Sequence, residues 1–391
     1  MALSKIQGIG GQVTSNLGRR NLIINGDMQI WQRGISTSAL THNTNIFHSA
    51  DRWSAVTDQN DGSGTLTTTF SRDTDVPSTE TFPYSLKAVV ANTSFTPSGT
   101  DCTALFSHSI ETYNANPLGW GTAAAKPATL TYWIKSSVAG TGTLQIRLND
   151  SNEVNGVADG QLYTKFTINQ ANTWEKKTHL IPANATDGWR RNVSANAMQL
   201  YWFFASEQAA ASTQDAWFRQ NNYGQRHSDM TLDFQTTGGT AYITGCQLEV
   251  GNTATDFEHR SIGEELQLCQ RYYQRIQRQE TNGTDSNSAT FRNVANTYIT
   301  MGHSHSTTIC YAFYKLKTTM RDTPTLDYSS AGDIYINDGG TNRQVTDASI
   351  VNHPSLDGLL LSLTTSGLTA GEGVRVFLQA TGDWVEFDSE I

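Results

Sequence analysis

The chain alternates hydrophobic and polar residues over short stretches along most of its length. The stretch 143–148 is the clearest, because Leu144, Ile146 and Leu148 fall on one face of an extended chain and polar residues fall on the other. A period of two indicates a β-strand with one buried face. Comparable stretches recur between turns rich in Gly, Asn and Asp: 65–71, 128–135, 162–168, 174–181 and 198–204. Roughly eight to ten strands of irregular spacing predict a jelly-roll β-sandwich over residues 21–260.

The period changes near residue 261 and predicts a connector helix over 261–279. Ser261 can cap its N-terminus, and Glu264 follows three residues later, as in a capping box. Five apolar residues then follow at spacings of four, three, four and three, which is an a/d stripe of about two heptads: Ile262, Leu266, Cys269, Tyr273 and Ile276. This helix either packs on its own sandwich or meets two other copies on a trimer axis. Two heptads are marginal alone, so a trimer would need its flanking β domains.

A polar stretch, 280–290, leads into a second run of strand patterns. These predict a smaller C-terminal β domain over 280–391: 297–301, 309–314, 334–336, 359–363 and 374–378. At the other end, residues 1–20 are rich in Gly and Ser and show little periodicity, which predicts an extended arm.

The composition supports the all-β prediction and limits the kinds of binding partner that are expected. Hydrophobic residues make up 37% and charged residues 16% of the chain, and Thr, Ser, Asn, Gln and Gly fill the difference. The net charge of −9 comes without a Lys/Arg cluster, so no nucleic acid is expected as a partner. No apolar run approaches the roughly 20 residues that span a bilayer, so membrane insertion is not expected. The N-terminus lacks the apolar core of a signal peptide, and we expect assembly in a cytoplasm.

The four cysteines are widely spaced and form no CxxC motif. This pattern predicts free, buried thiols in a reducing compartment and no specific disulfide: Cys102, Cys246, Cys269 and Cys310.

Two pairs of motifs resemble those of bacteriophage tail fibres and related virion proteins. The first pair is Asn21-Leu-Ile-Ile-Asn-Gly-Asp-Met-Gln-Ile-Trp-Gln-Arg-Gly34 with Ala50-Asp-Arg-Trp53, and the second pair is 243–251 with 257–273. Such fibres carry the two signatures around one carbohydrate-binding-like jelly roll. Residues 320–326 and 385–391 also resemble the terminal domain that follows the helix in those fibres.

The resemblance implies a homotrimeric virion structural protein, located in the phage tail and assembled in the host cytoplasm. The N-terminal arm, residues 1–20, would attach to phage tail or adaptor proteins. The distal domain, 280–391, would contact a host surface glycan or protein. Host recognition and adhesion would be its function, with no catalysis.

One long insertion has the composition of a sugar-binding loop. Its aromatic faces can stack on a sugar, and its amides and guanidinium groups can bond hydroxyls: Trp217, Phe218, Arg219, Asn222, Tyr223 and Arg226. The same residues also suit a loop folded over the sandwich or buried between subunits.

Three stretches could bind metal, although no cofactor is required. His303 and His305 point the same way in a strand, and a trimer would bring six imidazoles together; surface histidines are the alternative. The turns 58–64 and 149–153 concentrate oxygen atoms as calcium requires, but Asx-rich turns do so for backbone reasons as well.

The segment Asp51-Arg52-Trp53 suggests a buried indole beside an Arg–Asp pair.

The sequence contains none of the common catalytic motifs. The chain has no Gly-x-Ser-x-Gly, His-Glu-x-x-His or P-loop sequence, so we expect a binding protein. A capsid-decorating or head-fibre protein is one alternative. A polysaccharide depolymerase is another, because paired carboxylates need only be close in space.

Overall fold

The computed structural model describes residues 19–40, 50–58, 63–97, 99, 102–149, 160–189, 195–220, 224–277, 297–351, 355–380 and 382–390. Strands dominate these residues. The predicted all-β architecture is confirmed: a jelly-roll sandwich, a short helix and a smaller C-terminal β domain. Most of the predicted attachment arm, residues 1–18, lies outside the described residues.

The first sandwich is built from eleven described strands: β1 (Trp53–Asp58), β2 (Leu66–Asp73), β3 (Ser85–Asn92), β4 (Cys102–Glu111), β5 (Ala128–Ser136), β6 (Gly140–Leu148), β7 (Gly160–Ile168), β8 (Glu175–Ile181), β9 (Asn196–Ser206), β10 (Phe218–Arg219) and β11 (Gly239–Val250). Two one-turn helices, α1 (Thr112–Ala115) and α2 (Phe234–Thr237), lie between strands. One antiparallel sheet has the order β1-β4-β9-β6-β7-β10, and the other has the order β2-β3-β11-β5-β8.

The core of the first sandwich lies between these sheets. Leu144, Ile146 and Leu148 on β6 are buried, as their alternation predicts. Trp202, on the neighbouring strand β9, meets Tyr132 of the other sheet edge to face, with ring centroids 5.4 Å apart. Because aromatic and branched side chains fill this layer, hydrophobic burial is the main force holding the two sheets together.

The outer face of the six-stranded sheet is covered as well, which the alternation did not predict. Gln145 points outward from β6 but is buried, and its amide donates to the Tyr163 hydroxyl at 2.8 Å. Met230, from the loop after β10, lies on the same face and accepts a hydrogen bond from the Thr143 hydroxyl at 3.3 Å. The loop therefore shields polar residues that bond one another.

The connector helix, α3 (Ile262–Gln270), begins where the sequence predicts but ends earlier. Ser261 is its N-cap, and the Ser261 hydroxyl accepts a hydrogen bond from the Glu264 N–H at 3.2 Å. The predicted helix over 261–279 is wrong beyond Gln270, because a strand, β12 (Tyr273–Gln277), follows almost at once.

Tyr273 and Ile276 therefore do not belong to a helical stripe. In β12 they are three residues apart, so they point to opposite faces of a strand. Ile276 packs on the second core, and Tyr273 packs under Arg33. Pairing of β12 with the last strand of the chain outweighs the local helical spacing.

The second sandwich contains β12 and nine further described strands: β13 (Thr297–Ser304), β14 (Ile309–Lys315), β15 (Thr325–Tyr328), β16 (Ile334–Asp338), β17 (Thr341–Gln344), β18 (Asp347–Ile350), β19 (Gly358–Thr364), β20 (Gly373–Leu378) and β21 (Trp384–Asp388). A three-stranded sheet has the order β12-β21-β15, and a seven-stranded sheet has the order β17-β16-β20-β13-β14-β19-β18. The five strands predicted in this region correspond to β13, β14, β16, β19 and β20.

The second core lies between the three-stranded and seven-stranded sheets. Tyr314 of β14 stacks on Phe387 of β21 with ring centroids 4.8 Å apart. Ile336, Leu361 and Val376 are buried in the same cluster. Thus residues 273–277 and 384–388, which are far apart in sequence, close one side of this domain.

Candidate functional site

The two signature motifs meet at the base of the first sandwich. The Asn21 side-chain oxygen accepts the N–H groups of Ile23 and Leu248, each at 3.0 Å. The Glu258 carboxylate accepts the N–H groups of Arg20 and Asn21, each at 2.8 Å. Because these bonds tie the first motif to the strand and loop of the second, both motifs serve the folding of one junction.

The segment Asp51-Arg52-Trp53 supports the same junction, but not through an Arg–Asp pair. Trp53 is fully buried, as expected, and its indole N–H donates to the Asn25 carbonyl at 3.0 Å. The Asp51 carboxylate instead accepts the Gln32 N–H at 2.9 Å, and burial raises the pKa of Asp51. Arg52 finds its carboxylate partner at the far end of the chain, in Glu390.

The C-terminal residues form a buried ionic cluster with the first sandwich. Glu390 pairs with Arg52 and also with Arg33, the latter at 3.4 Å. Arg33 reaches Asp388 at 2.9 Å as well. The side chains of Arg52 and Glu390 are 1% and 3% exposed, so each charge depends on its partner for solvation.

Two tyrosines complete this contact between the sandwiches. The guanidinium of Arg52 lies 3.6 Å from the ring centre of Tyr272, and that of Arg33 lies 3.5 Å from the ring centre of Tyr273. The Tyr272 hydroxyl donates to Glu111 at 2.6 Å, and burial raises the pKa of Tyr272 to about 12. The tyrosines therefore remain neutral and bind the two cations by their faces.

The residues proposed for a trimer axis are separated by this arrangement. Cys269 and Tyr273 are buried inside one chain, and Ile262 is 65% exposed at the start of α3. Leu266 and Ile276 are half-buried and line one groove between the two sandwiches. The five residues therefore form no continuous helical surface, although the oligomeric state itself stays a prediction.

The loop predicted to bind glycan folds over its own sandwich. Trp217 packs edge to face on Trp120, with ring centroids 5.2 Å apart, and its N–H donates to the Pro182 carbonyl at 2.8 Å. Phe218 and Arg219 form the edge strand β10. This arrangement corresponds to the alternative, left open by the sequence, in which the loop folds over the sandwich.

The remaining loop residues divide between internal contacts and undescribed positions. Arg219 pairs with Asp187, and the Arg226 guanidinium donates to the Gln208 carbonyl at 3.0 Å. Asn222 and Tyr223 lie outside the described residues. The described polar groups of the loop therefore already have partners within the chain.

His303 and His305 lie on the exposed face of the seven-stranded sheet. Their ring centroids are 6.1 and 4.9 Å from that of Tyr311, so both imidazoles share one face, as the period of two predicts. Within the described part of the chain, no three His, Cys, Asp or Glu side chains are grouped as a metal site would require. The two candidate calcium turns fall largely outside the described residues.

The same face carries an aromatic surface that sequence reasoning missed. Tyr298, Met301 and Phe313 are 51%, 75% and 57% exposed, and they lie on the neighbouring strands β13 and β14. We call Tyr298, Met301, Phe313, Tyr311, His303 and His305 the aromatic face. Its signal in the sequence was available: both sides of β13 and β14 carry large apolar residues, whereas a solvated face normally carries polar ones.

Three of the cysteines behave as predicted. Cys246, Cys269 and Cys310 are free and buried, and burial raises the pKa of all three thiols. The side chain of Cys102 is outside the described part of the chain. Thiols with raised pKa values are poor nucleophiles, which fits a packing role.

Among the described residues, none of the helices combines the length and apolar character that crossing a bilayer requires.

No protein-family model and no curated protein matches the chain. Solved structures give distant similarities. The enzymatically active domain of tailspike protein 4 from bacteriophage CBA120 is 14% identical, with a TM-score of 0.28, and the match covers 59% of this chain and 21% of that one. The match thus spans about a fifth of the tailspike domain.

Two further similarities are to proteins whose names refer to sugars. A putative sugar binding protein from Bacteroides thetaiotaomicron is 13% identical, with a TM-score of 0.31, covering 59% of this chain and 100% of that one. A family 11 carbohydrate-binding module from Clostridium thermocellum is 10% identical, with a TM-score of 0.25, covering 58% and 99%. Similarities this distant carry no argument about what this chain does.

Proposed function

We propose that this protein is a virion appendage of the tail-fibre type that adsorbs to host surface glycan without chemical turnover. The observation that carries the proposal is the aromatic face of the second sandwich. It belongs to the domain that the resemblance assigns to the distal tip. The proposal rests on the chain's own motifs and surface, not on the distant structural similarities.

The aromatic face has the chemistry that a sugar requires. The rings of Tyr298, Tyr311 and Phe313 offer flat apolar surfaces for the C–H face of a pyranose. His303, His305 and the exposed Arg375 of β20 supply donors and acceptors for hydroxyls beside them. An apolar surface this exposed is unusual on a protein that has no partner for it.

Adhesion by this surface would be weak for one chain and strong for an assembly. A single shallow sheet face binds a sugar weakly, since it buries only part of the ligand. A homotrimer attached to phage tail or adaptor proteins through residues 1–20 would present three such faces. Effective concentration would then convert weak contacts into stable adsorption.

The test is binding to host cells and to purified host polysaccharide by the full chain. Tyr298→Ala and Phe313→Ala should each weaken binding about tenfold, because each removes a stacking surface at the centre of the contact. Tyr113→Ala is the matched control, since Tyr113 is 50% exposed on the first sandwich and Tyr298 is 51% exposed. Equal binding by all three variants would contradict the proposal.

The depolymerase alternative is tested in the same assay by following polysaccharide chain length. The carboxylates of Glu207 and Asp233 line a cavity of about 200 Å³ beside Arg226, where a hydrolytic pair could be sought. Asp233 caps α2 by accepting the Thr236 N–H at 3.1 Å, a structural role. We expect no shortening of the polysaccharide; shortening that is lost in Glu207→Gln would favour the enzyme.

A further inference from the structure

A groove of about 550 Å³ lies between the two sandwiches. Its volume is within the roughly 300–1,000 Å³ range of small-molecule sites. The N-terminal motif, α3, β12 and the loop after β14 all contribute to its lining: Trp31, Gln32, Gly34, Leu266, Gln270, Arg275, Ile276, Gln277 and Lys317. We name it the junction groove.

The lining of the junction groove is cationic in an acidic protein. The chain has 36 acidic and 27 basic residues, yet the described lining includes Arg275 and Lys317 and no carboxylate. Lys317 is exposed at the rim. A concave surface with two cations and no lining acid favours an anionic ligand.

Arg275 retains an unused hydrogen-bond donor. Its guanidinium lies 4.6 Å from the ring centre of Trp384, and one terminal nitrogen donates to the Arg33 carbonyl at 3.1 Å. The Nε atom is buried and has no hydrogen-bond partner among the described residues. Buried donors of this kind are normally satisfied, so the described part of the chain does not use the full hydrogen-bonding capacity of Arg275.

Glu386 is the acidic group nearest to Arg275, and it approaches from the three-stranded sheet. Its carboxylate is 3.9 Å from Arg275, at the limit of an ion pair, and it also accepts the Tyr273 hydroxyl. The positive charge of Arg275 is thus only partly neutralised within the chain.

The rest of the lining suits a sugar better than a bare ion. The half-buried indole of Trp31 and the side chains of Leu266 and Ile276 form apolar walls. The amides of Gln270 and Gln277 lie beside them and can bond hydroxyl groups. Apolar walls, planar amides and a cation together match the three parts of an acidic sugar: its C–H face, its hydroxyls and its carboxylate.

We propose that the junction groove binds a carboxylate-bearing sugar unit, with Arg275 and Lys317 holding the carboxylate and Trp31 facing the ring. This site is separate from the aromatic face and does not depend on the proposed function. A uronic or similar acidic unit of a surface polysaccharide is the ligand class that its chemistry recognises.

The experiment is ligand-observed NMR and titration calorimetry on the full chain with D-glucuronate, D-glucose and acetate. Glucuronate should bind about tenfold more tightly than either glucose, which lacks the carboxylate, or acetate, which lacks the ring. Binding should weaken as sodium chloride is raised, because the cations are near solvent. If glucose bound as tightly as glucuronate, the carboxylate would not contribute to recognition and the proposal would be wrong. If acetate bound as tightly as glucuronate, the groove would be a simple anion site and not a sugar site.

Variants separate the groove from the rest of the surface. Lys317→Ala should weaken glucuronate binding about fivefold, and Arg275→Gln should weaken it about tenfold. Lys315→Ala is the matched control, since it removes an exposed lysine two residues away that pairs with Asp357. Lys317 is exposed, so its variant remains informative even if Arg275→Gln unfolds.

Two outcomes would overturn the proposal. One is unchanged glucuronate binding in both Lys317→Ala and Arg275→Gln. The other is failure of glucuronate to bind while Leu266→Asp lowers the solution mass, which would make the groove a contact between copies. Glucuronate binding is measured in Lys317→Ala and Arg275→Gln and host-cell binding in Tyr298→Ala and Phe313→Ala, so this test and that of the proposed function fail independently.

Discussion

The outer faces of the two sandwiches use aromatic residues in opposite ways. On the five-stranded sheet, Tyr242 lies under Lys135, with the ammonium 4.2 Å from the ring centre. Lys135 is held by Asp75, which also accepts the Trp174 N–H at 2.9 Å. On the seven-stranded sheet, Phe313 is 57% exposed and faces solvent.

This difference distinguishes an aromatic cluster that stabilises a fold from one that is available to a partner. In the first case, the ammonium groups of Lys87 and Lys135 lie over the Tyr242 ring, and Asp73 and Asp75 pair with these lysines. In the second case, Tyr298 and Phe313 are 51% and 57% exposed. Exposure of the ring, and not the presence of aromatic residues alone, is therefore the reason that the aromatic face is proposed as a binding surface.

The largest expected effect tests whether the C-terminal ionic cluster couples the stability of the two sandwiches. Glu390→Ala should lower the free energy of unfolding by about 3–5 kcal/mol, because it leaves Arg52 and Arg33 buried with less compensation. Urea unfolding followed by tryptophan fluorescence measures the loss. Glu372→Ala, an exposed carboxylate of the same domain, should leave the midpoint unchanged. An unchanged midpoint for Glu390→Ala would mean that the C-terminal cluster does not couple the sandwiches.

The second prediction uses His179 of β8, which is half-buried, whereas His303 and His305 of the aromatic face are exposed. Burial lowers the pKa of His179 from 6.5 to about 4. Between these values the unfolded chain binds the proton more readily, so stability is complete above pH 6.5 and falls as the pH drops toward 4. A pKa difference of this size between the folded and unfolded states corresponds to about 3 kcal/mol in the free energy of unfolding.

Comparison with His179→Gln isolates this contribution from that of the other titrating groups. From pH 7 to pH 4, the wild type should lose about 3 kcal/mol more stability than the variant. The hydrogen bond of His179 to the Tyr132 hydroxyl, at 3.0 Å, is one that glutamine can replace. Parallel pH profiles for the two proteins in urea unfolding would contradict the prediction.

The third prediction addresses the two aromatic clusters directly. Tyr242→Ala should cost about 1–2 kcal/mol, because it removes the ring beneath Lys135 and the area that the ring buries. Phe313→Ala should cost roughly 0.5 kcal/mol, since most of its ring is already in water. Thermal unfolding of both variants measures the contrast. Equal costs would mean that the aromatic face is as important to folding as the covered cluster.

The smallest effect is expected at the two exposed histidines. His303→Ala with His305→Ala should change stability by less than about 0.5 kcal/mol in the absence of metal. Thermal unfolding with added zinc or nickel extends the test to a site shared between copies. A rise in melting temperature that disappears in the double variant would favour the axial metal site.

Local pattern was sufficient for much of the strand content. At β6 the alternation correctly assigned Leu144 and Ile146 to the core, and the cap at Ser261 correctly marked the start of α3. These features depend on residues close together in the chain, where period and capping act directly. The same reasoning extended α3 too far, because the partner strand of Tyr273–Gln277 lies more than a hundred residues away.

The candidate sites depend more strongly on tertiary structure than the elements do. The composition of the loop around Trp217 suited a glycan, but Trp120 and the Pro182 carbonyl already occupy its indole. Conversely, the sequence pattern did not indicate Tyr298 and Phe313 as sugar contacts, because their exposure depends on which face of the seven-stranded sheet is covered. Composition cannot distinguish an aromatic side chain that is packed from one that is free.

The sequence by itself determined the all-β class, the turns between strands and the position of a short capped helix, because these follow from local periodicity and backbone preference. By resemblance, its two signature motifs were also expected to lie around one sandwich. Only the tertiary structure decided that Glu390 returns to Arg52, that β12 pairs with β21, and that a cationic groove opens between the sandwiches. These features join residues from distant parts of the chain, and burial and charge pairing at such distances are set by the packing of the whole molecule.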